Sequence, residues 1–186
     1  MGNGYVETDK TQSGRCYIRR FCTSDQSENN FIYYVLGKKE RHTLADYVTG
    51  VEETSTNKIV LYSSAQTGKT TELKQLCWEL QQSGLYLPVS FEVRTNTKLK
   101  RDDLPESQYV DGREVVLVID ALDEVNGQKY EDLLEEIGGY AYEHPEMKMV
   151  LSCRSNFRRE RQLELFTELF LEELSIDDAR DYADQT

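Results

Sequence analysis

The chain has 186 residues, the length of one ordinary domain. Its 38% hydrophobic content is enough to bury a core and excludes a wholly disordered chain. Its 22 basic and 34 acidic residues leave a net charge of −12, which opposes phosphate backbones and anionic lipid and argues against general nucleic-acid or membrane binding.

No apolar run approaches the roughly 20 residues of a membrane helix. The opening Met1–Tyr5 lacks the basic flank and apolar stretch of a signal peptide, so a cytoplasmic chain is expected. Cys16, Cys22, Cys77 and Cys153 have no C-x-x-C spacing, and His42 and His144 add no zinc pattern, so free thiols are expected.

Residues 1–57 read as a polar, loop-rich leader around a small Cys16-Tyr17-Ile18 patch, with Phe31–Leu36 ambiguous between strand and helix. Glu40–Val48 has helical spacing. From Lys58 onward, short apolar runs alternate with amphipathic stretches. Ile59–Tyr62 reads as a buried strand. Thr70–Ser83 reads as a helix on Leu73, Leu76, Cys77 and Leu80, stopped by Gly84 and with Trp78 packed. Leu85–Val93 is β-rich, and Val115–Ile119 is the all-apolar run of a strand buried on both faces. A helix over Tyr130–Tyr142 and strands over Lys148–Ser152 and Phe166–Leu171 follow. The alternation predicts an α/β fold with a mainly parallel sheet covered by helices on both faces, its sites at the carboxyl ends of the strands. Residues 176–186 resemble the start of a further helical domain, as in a piece of a longer protein.

Ser63-Ser64-Ala65-Gln66-Thr67-Gly68-Lys69-Thr70 lies between the first strong strand and the first strong helix. It matches the phosphate-loop pattern G-x-x-x-x-G-K-[ST] except that Ser63 replaces the first glycine. Backbone N–H groups and the positive helix end suit phosphate oxygens. Gly68 allows close approach, Lys69 would bridge β- and γ-phosphate oxygens, and Thr70 would supply a hydroxyl to Mg²⁺. Thr71 reads as a first-turn helix residue at the edge of the same site.

Fifty-one residues after Lys69, the Val115–Ile119 strand delivers Asp120 at its carboxyl end, a carboxylate suited to Mg²⁺. Asp123 and Glu124 lie just beyond, within reach of a water attacking the terminal phosphate.

Asp120-Ala121-Leu122-Asp123-Glu124, together with the loop, resembles the D-[GAS]-hydrophobic-D-E signature of NACHT domains, members of the STAND class of P-loop NTPases. The resemblance spans residues 58–175. It implies a three-layer P-loop NTPase core that binds ATP or ADP with Mg²⁺, hydrolyses ATP slowly and oligomerises on activation. Known members act in innate immunity and anti-phage defence, coupling a sensor ligand to an effector. By the resemblance Asp120 is the magnesium carboxylate, and Asp123, ahead of Glu124, orients the water. Arg154, ending Lys148–Arg154, is the sensor-like arginine near the γ-phosphate. Adenine over guanine also follows from the resemblance, and no N-K-x-D guanine-reading motif occurs. A P-loop small-molecule kinase and a nucleotide-bound scaffold without hydrolysis are the alternative readings. An ordinary AAA-type motor fits less well, because its acidic strand ends D-E directly.

Overall fold

A computed structural model describes residues 17–24, 41–50, 56–93, 99–125, 127–158 and 163–174. The strands are β1 (Cys22–Thr23), β2 (Lys58–Ser63), β3 (Tyr86–Glu92), β4 (Tyr109–Val110), β5 (Arg113–Asp120), β6 (Lys148–Arg154) and β7 (Thr167–Leu171), and the α-helices are α1 (Leu44–Thr49), α2 (Lys69–Ser83) and α3 (Gln128–Glu143).

The seven strands form one mixed sheet in the order β1-β7-β2-β6-β5-β3, with β4 attached to β5. β2, β3, β5, β6 and β7 run parallel, while β1 is antiparallel to β7 and β4 to β5. The parallel core agrees with the sequence expectation. The two antiparallel strands are only two residues long and carry no periodic signal to read.

Burial explains the order. Each residue of Val115–Ile119 is at most 1% exposed. Burying such a side chain is worth about 1.5–3 kcal/mol, so this run is driven to the sheet interior, flanked by β3 and β6. Side chains alternate between faces. Val115, Leu117 and Ile119 join Leu133, Leu134, Ile137 and Tyr140 of α3 in one core cluster. Val116 and Val118 join Leu73, Leu76, Cys77 and Leu80 of α2 and Leu44, Tyr47 and Val48 of α1 in the other.

Helix boundaries follow from their caps. Thr43 and Asp46 form a reciprocal capping box, with Thr43 N–H donating to Asp46 Oδ2 (2.7 Å) and Asp46 N–H to Thr43 Oγ1 (3.2 Å), which starts α1 later than the Glu40 of the sequence reading. Gly84, at φ 70°, ends α2 where expected. Trp78 is 38% exposed rather than packed, because it points off the Leu73–Leu80 stripe at 100° per residue. Cys22, Cys77 and Cys153 are free and buried. Cys16, Phe31–Leu36 and residues 176–186 lie outside the described residues.

The amino end of the sheet is fastened by two buried lysines. Lys58 Nζ donates to the carbonyls of His144 (3.0 Å), Pro145 (2.7 Å) and Met147 (3.4 Å), where α3 ends. Lys148 Nζ donates to the Val48 carbonyl in the last turn of α1 (2.9 Å). Lys148 places its cation on a carbonyl that the end of α1 leaves unpaired, and Lys58 places one on the turn that follows α3. The described parts of the leader are integrated into the domain, since β1 extends the sheet and α1 shares its core. No helix among the described residues is long and apolar enough to cross a membrane.

Candidate functional site

The carboxyl end of β2 lies between those of β7 and β6, and Asp120, Asp123 and Arg154 are close enough there to act on Lys69. Ser63 is buried, and Thr67 Oγ1 sits 2.6 Å from its Oγ and 2.8 Å from the Ser64 carbonyl, closing the loop on itself. Ser63 stands where the pattern has its first glycine, and Thr67 immediately precedes the second. Between them Ser64, Ala65 and Gln66 are exposed, with Gln66 at φ 62°. Gly68 adopts φ 93°, a conformation open mainly to glycine, and turns the chain into α2. It caps α2 without a side-chain hydrogen bond, its carbonyl accepting from Glu72 N–H at 2.9 Å. The first turn of α2 holds Lys69, half-buried, and exposed Thr70 and Thr71.

The acidic segment is built by two strands. Asp120 ends β5, with β6 between it and the loop strand. Its Oδ1 accepts from Ala121 N–H (2.9 Å) and from the hydroxyl of fully buried Ser152 on β6. Ala121 N–H also lies 3.0 Å from Ser152 Oγ. Ala121 takes the left-handed conformation at φ 66°, turning the chain sharply into the short 3₁₀ turn Leu122–Glu124. That turn buries Leu122 and tucks the Asp123 carboxylate, 4% exposed, against Arg154. Asp123 Oδ1 accepts the Arg154 backbone N–H (3.0 Å), and Oδ2 meets Arg154 Nε (2.7 Å). Arg154 pairs in register with Ser63, so its partly exposed guanidinium stands beside the loop. Glu124 is exposed at the end of the turn.

These groups form one electrostatic unit. Burial pushes the Lys69 pKa down, the Asp123 carboxylate pulls it back up, and the Arg154 cation pushes it down again. A lysine on the loop, two carboxylates and an arginine therefore sense one another across three strand ends. Burial lifts the Cys153 thiol to about 11, which leaves it protonated and unsuited as a nucleophile. No group of three or more His, Cys, Asp or Glu residues able to hold a metal occurs among the described residues. Asp120 and Thr70, the carboxylate and hydroxyl that the sequence marks for Mg²⁺, stand at the end of β5 and in the first turn of α2. Glycine at φ 93°, Lys69 and the uncapped start of α2 fit the phosphates.

The site has members that the sequence reading did not find. Arg20 Nη1 donates to the Thr67 carbonyl (2.8 Å), and its Nη2 donates to the Glu172 carbonyl just past β7. Tyr17 OH donates to Glu72 Oε2 on α2 (2.6 Å). Burial lifts the Glu72 carboxyl to about 6, against the lowering effects of Tyr17 and Arg20. Ser152 was legible only as part of a strand. Arg158 pairs with Glu168 at the surface (2.6 Å).

The chain matches no protein-family model and no curated protein.

Proposed function

We propose that this chain is an ATP-binding, slowly hydrolysing switch domain of NACHT type, with a three-layer P-loop NTPase core that responds to the nucleotide's terminal phosphate. The observation that carries the reading is the convergence of Lys69, Asp120, Asp123 and Arg154 on the exposed loop at the carboxyl end of β2.

Each residue has a task in this reading. The loop N–H groups and Lys69 hold the phosphates, and Thr70 and Asp120 hold Mg²⁺, which supplies charge neutralisation when bound. Arg154 lies beside the loop with its Nε tied to Asp123, so its remaining donors are set for a phosphate oxygen. Both Asp123 oxygens already accept from Arg154. This shifts the task of orienting water from Asp123, the first choice of the sequence reading, to Glu124. Asp123 then fixes Arg154. Signalling in immunity or anti-phage defence, self-association, a cytoplasmic location and a sensor–effector partnership rest on the resemblance of Asp120–Glu124 to the NACHT signature.

Single-turnover hydrolysis of MgATP tests the reading, with protein in excess over nucleotide. Release of phosphate to water, abolished by Glu124→Gln, is the expected result. No phosphate release by folded wild-type protein that retains ATP would contradict hydrolysis and leave a nucleotide-held scaffold.

A further inference from the structure

We propose that Arg20 is the positioning residue of the phosphate loop: by holding the Thr67 carbonyl it fixes the Thr67–Gly68 peptide so that the Gly68 N–H is turned toward the bound phosphate. The inference rests on the nucleotide reading above and adds to it a residue from outside the loop.

A trans peptide is planar, and its C=O and N–H point in opposite directions. The Thr67 carbonyl points at Arg20 Nη1, 2.8 Å away. The Gly68 N–H therefore points away from Arg20. Gly68 itself supplies no restraint, because glycine passes between positive and negative φ at little cost. The peptide most exposed to flipping in this loop is thus the one that an external cation holds. The guanidinium also sits close by, with Nη1 3.6 Å from where a Gly68 Cβ would stand.

Arg20 can hold the peptide because it is itself held. Its second nitrogen donates to the Glu172 carbonyl. Glu172 N–H donates to the Phe21 carbonyl (2.9 Å), and Cys22 and Thr23 pair with Leu171 and Phe170. Tyr17 fastens the same segment to Glu72, one turn into the helix that the loop opens. The planar fork of arginine spans two carbonyls in fixed directions, which the point charge of lysine does not. The loop and the chain leaving β7 therefore share one guanidinium.

The test compares wild type, Arg20→Ala, Arg20→Lys and Arg41→Ala by calorimetric titration with MgADP, together with the Gly68 amide resonance in nucleotide-free, ¹⁵N-glycine-labelled protein. Arg41 is the control, since it pairs with the Glu172 side chain (2.9 Å) and stacks on Phe21. Loss of a charged hydrogen bond predicts that Arg20→Ala weakens MgADP binding about tenfold to a hundredfold. Arg20→Lys should fall between, and Arg41→Ala should bind like wild type even where its melting temperature drops. The Gly68 amide should shift in both Arg20 variants and stay in place in Arg41→Ala. Wild-type affinity in a folded Arg20→Ala variant, or an unmoved Gly68 amide, overturns the inference alone. Failure of wild type to bind MgADP overturns the nucleotide reading, and the Gly68 resonance then still decides whether Arg20 sets this peptide.

Discussion

The Asp123 carboxylate grips Arg154 twice, through the backbone N–H at 3.0 Å and Nε at 2.7 Å, while lying almost wholly out of solvent. A carboxylate so placed fixes both where the arginine's strand ends and where its guanidinium points. Asp123→Asn replaces one acceptor oxygen by a donor amide facing Nε and removes the charge. Under the proposed function, ATP turnover then drops by up to about 10²–10³-fold, the scale of losing one preorganised donor at a developing charge. ADP affinity should change little, since Arg154 is assigned to the terminal phosphate. Parallel turnover and binding measurements check this, and equal losses of ADP and ATP affinity would count against it.

Ser152 supports Asp120 from the neighbouring strand without meeting solvent. Ser152→Ala removes a buried donor and should destabilise the domain by about 1–3 kcal/mol in denaturant unfolding. If Asp120 holds Mg²⁺, the same variant needs several-fold more Mg²⁺ for nucleotide binding, while Mg²⁺-free ADP binding is unchanged. An unaltered Mg²⁺ requirement would remove Asp120 from the metal site.

Glu72 gives the domain a pH dependence of definite sign. Its carboxyl rises from 4.5 to about 6 in the fold, so the folded state holds its proton more tightly than the unfolded state does. The contribution is fully present below pH 4.5 and is lost as pH rises through about 6, amounting to about 2 kcal/mol by pH 7. Glu72→Gln keeps an oxygen for Tyr17 and removes the titration. Wild type should therefore lose about 2 kcal/mol of stability relative to this variant between pH 4.5 and 7. A flat difference would show that Glu72 titrates normally.

Much of this arrangement was legible in the residues. The Val115–Ile119 run and the Leu73–Leu80 spacing placed β5 and α2 because burial dominates both elements. The loop at Ser63–Thr70 and the acids at Asp120–Glu124 fall together because parallel strands deliver their carboxyl ends to one edge. Arg20, Tyr17 and Ser152 were not legible as site members. Each acts through a contact across 31 or more residues, from Ala121–Ser152 to Tyr17–Glu72, and no local period encodes such a pairing. The polar composition of the leader also concealed Cys22 and Thr23 as a strand, since two residues carry no alternation. The pairing of Asp123 with Arg154 likewise emerges only once β5 and β6 lie side by side.

Lys58 is expected to matter for stability and not for the site, which lies at the opposite end of its strand. Lys58→Met preserves the aliphatic stem and removes the ammonium from the carbonyls of His144, Pro145 and Met147, of which Met147 alone is buried and His144 still accepts the Met147 N–H. A cost of about 1–3 kcal/mol follows from losing that donor at the buried carbonyl. Chemical denaturation measures it, and a loss below about 0.5 kcal/mol would mean that water replaces the ammonium there.

In the proposed function the loop following β2 holds a nucleotide through Lys69. Calorimetric titration of wild type and Lys69→Ala with ADP, ATP and GTP in the presence of Mg²⁺ is the decisive measurement. ADP and ATP should bind to wild type, GTP should bind more weakly, and Lys69→Ala should lose adenine-nucleotide binding while its melting temperature is retained. Folded wild-type protein that binds none of the three, or a Lys69→Ala variant that binds as wild type does, would contradict it.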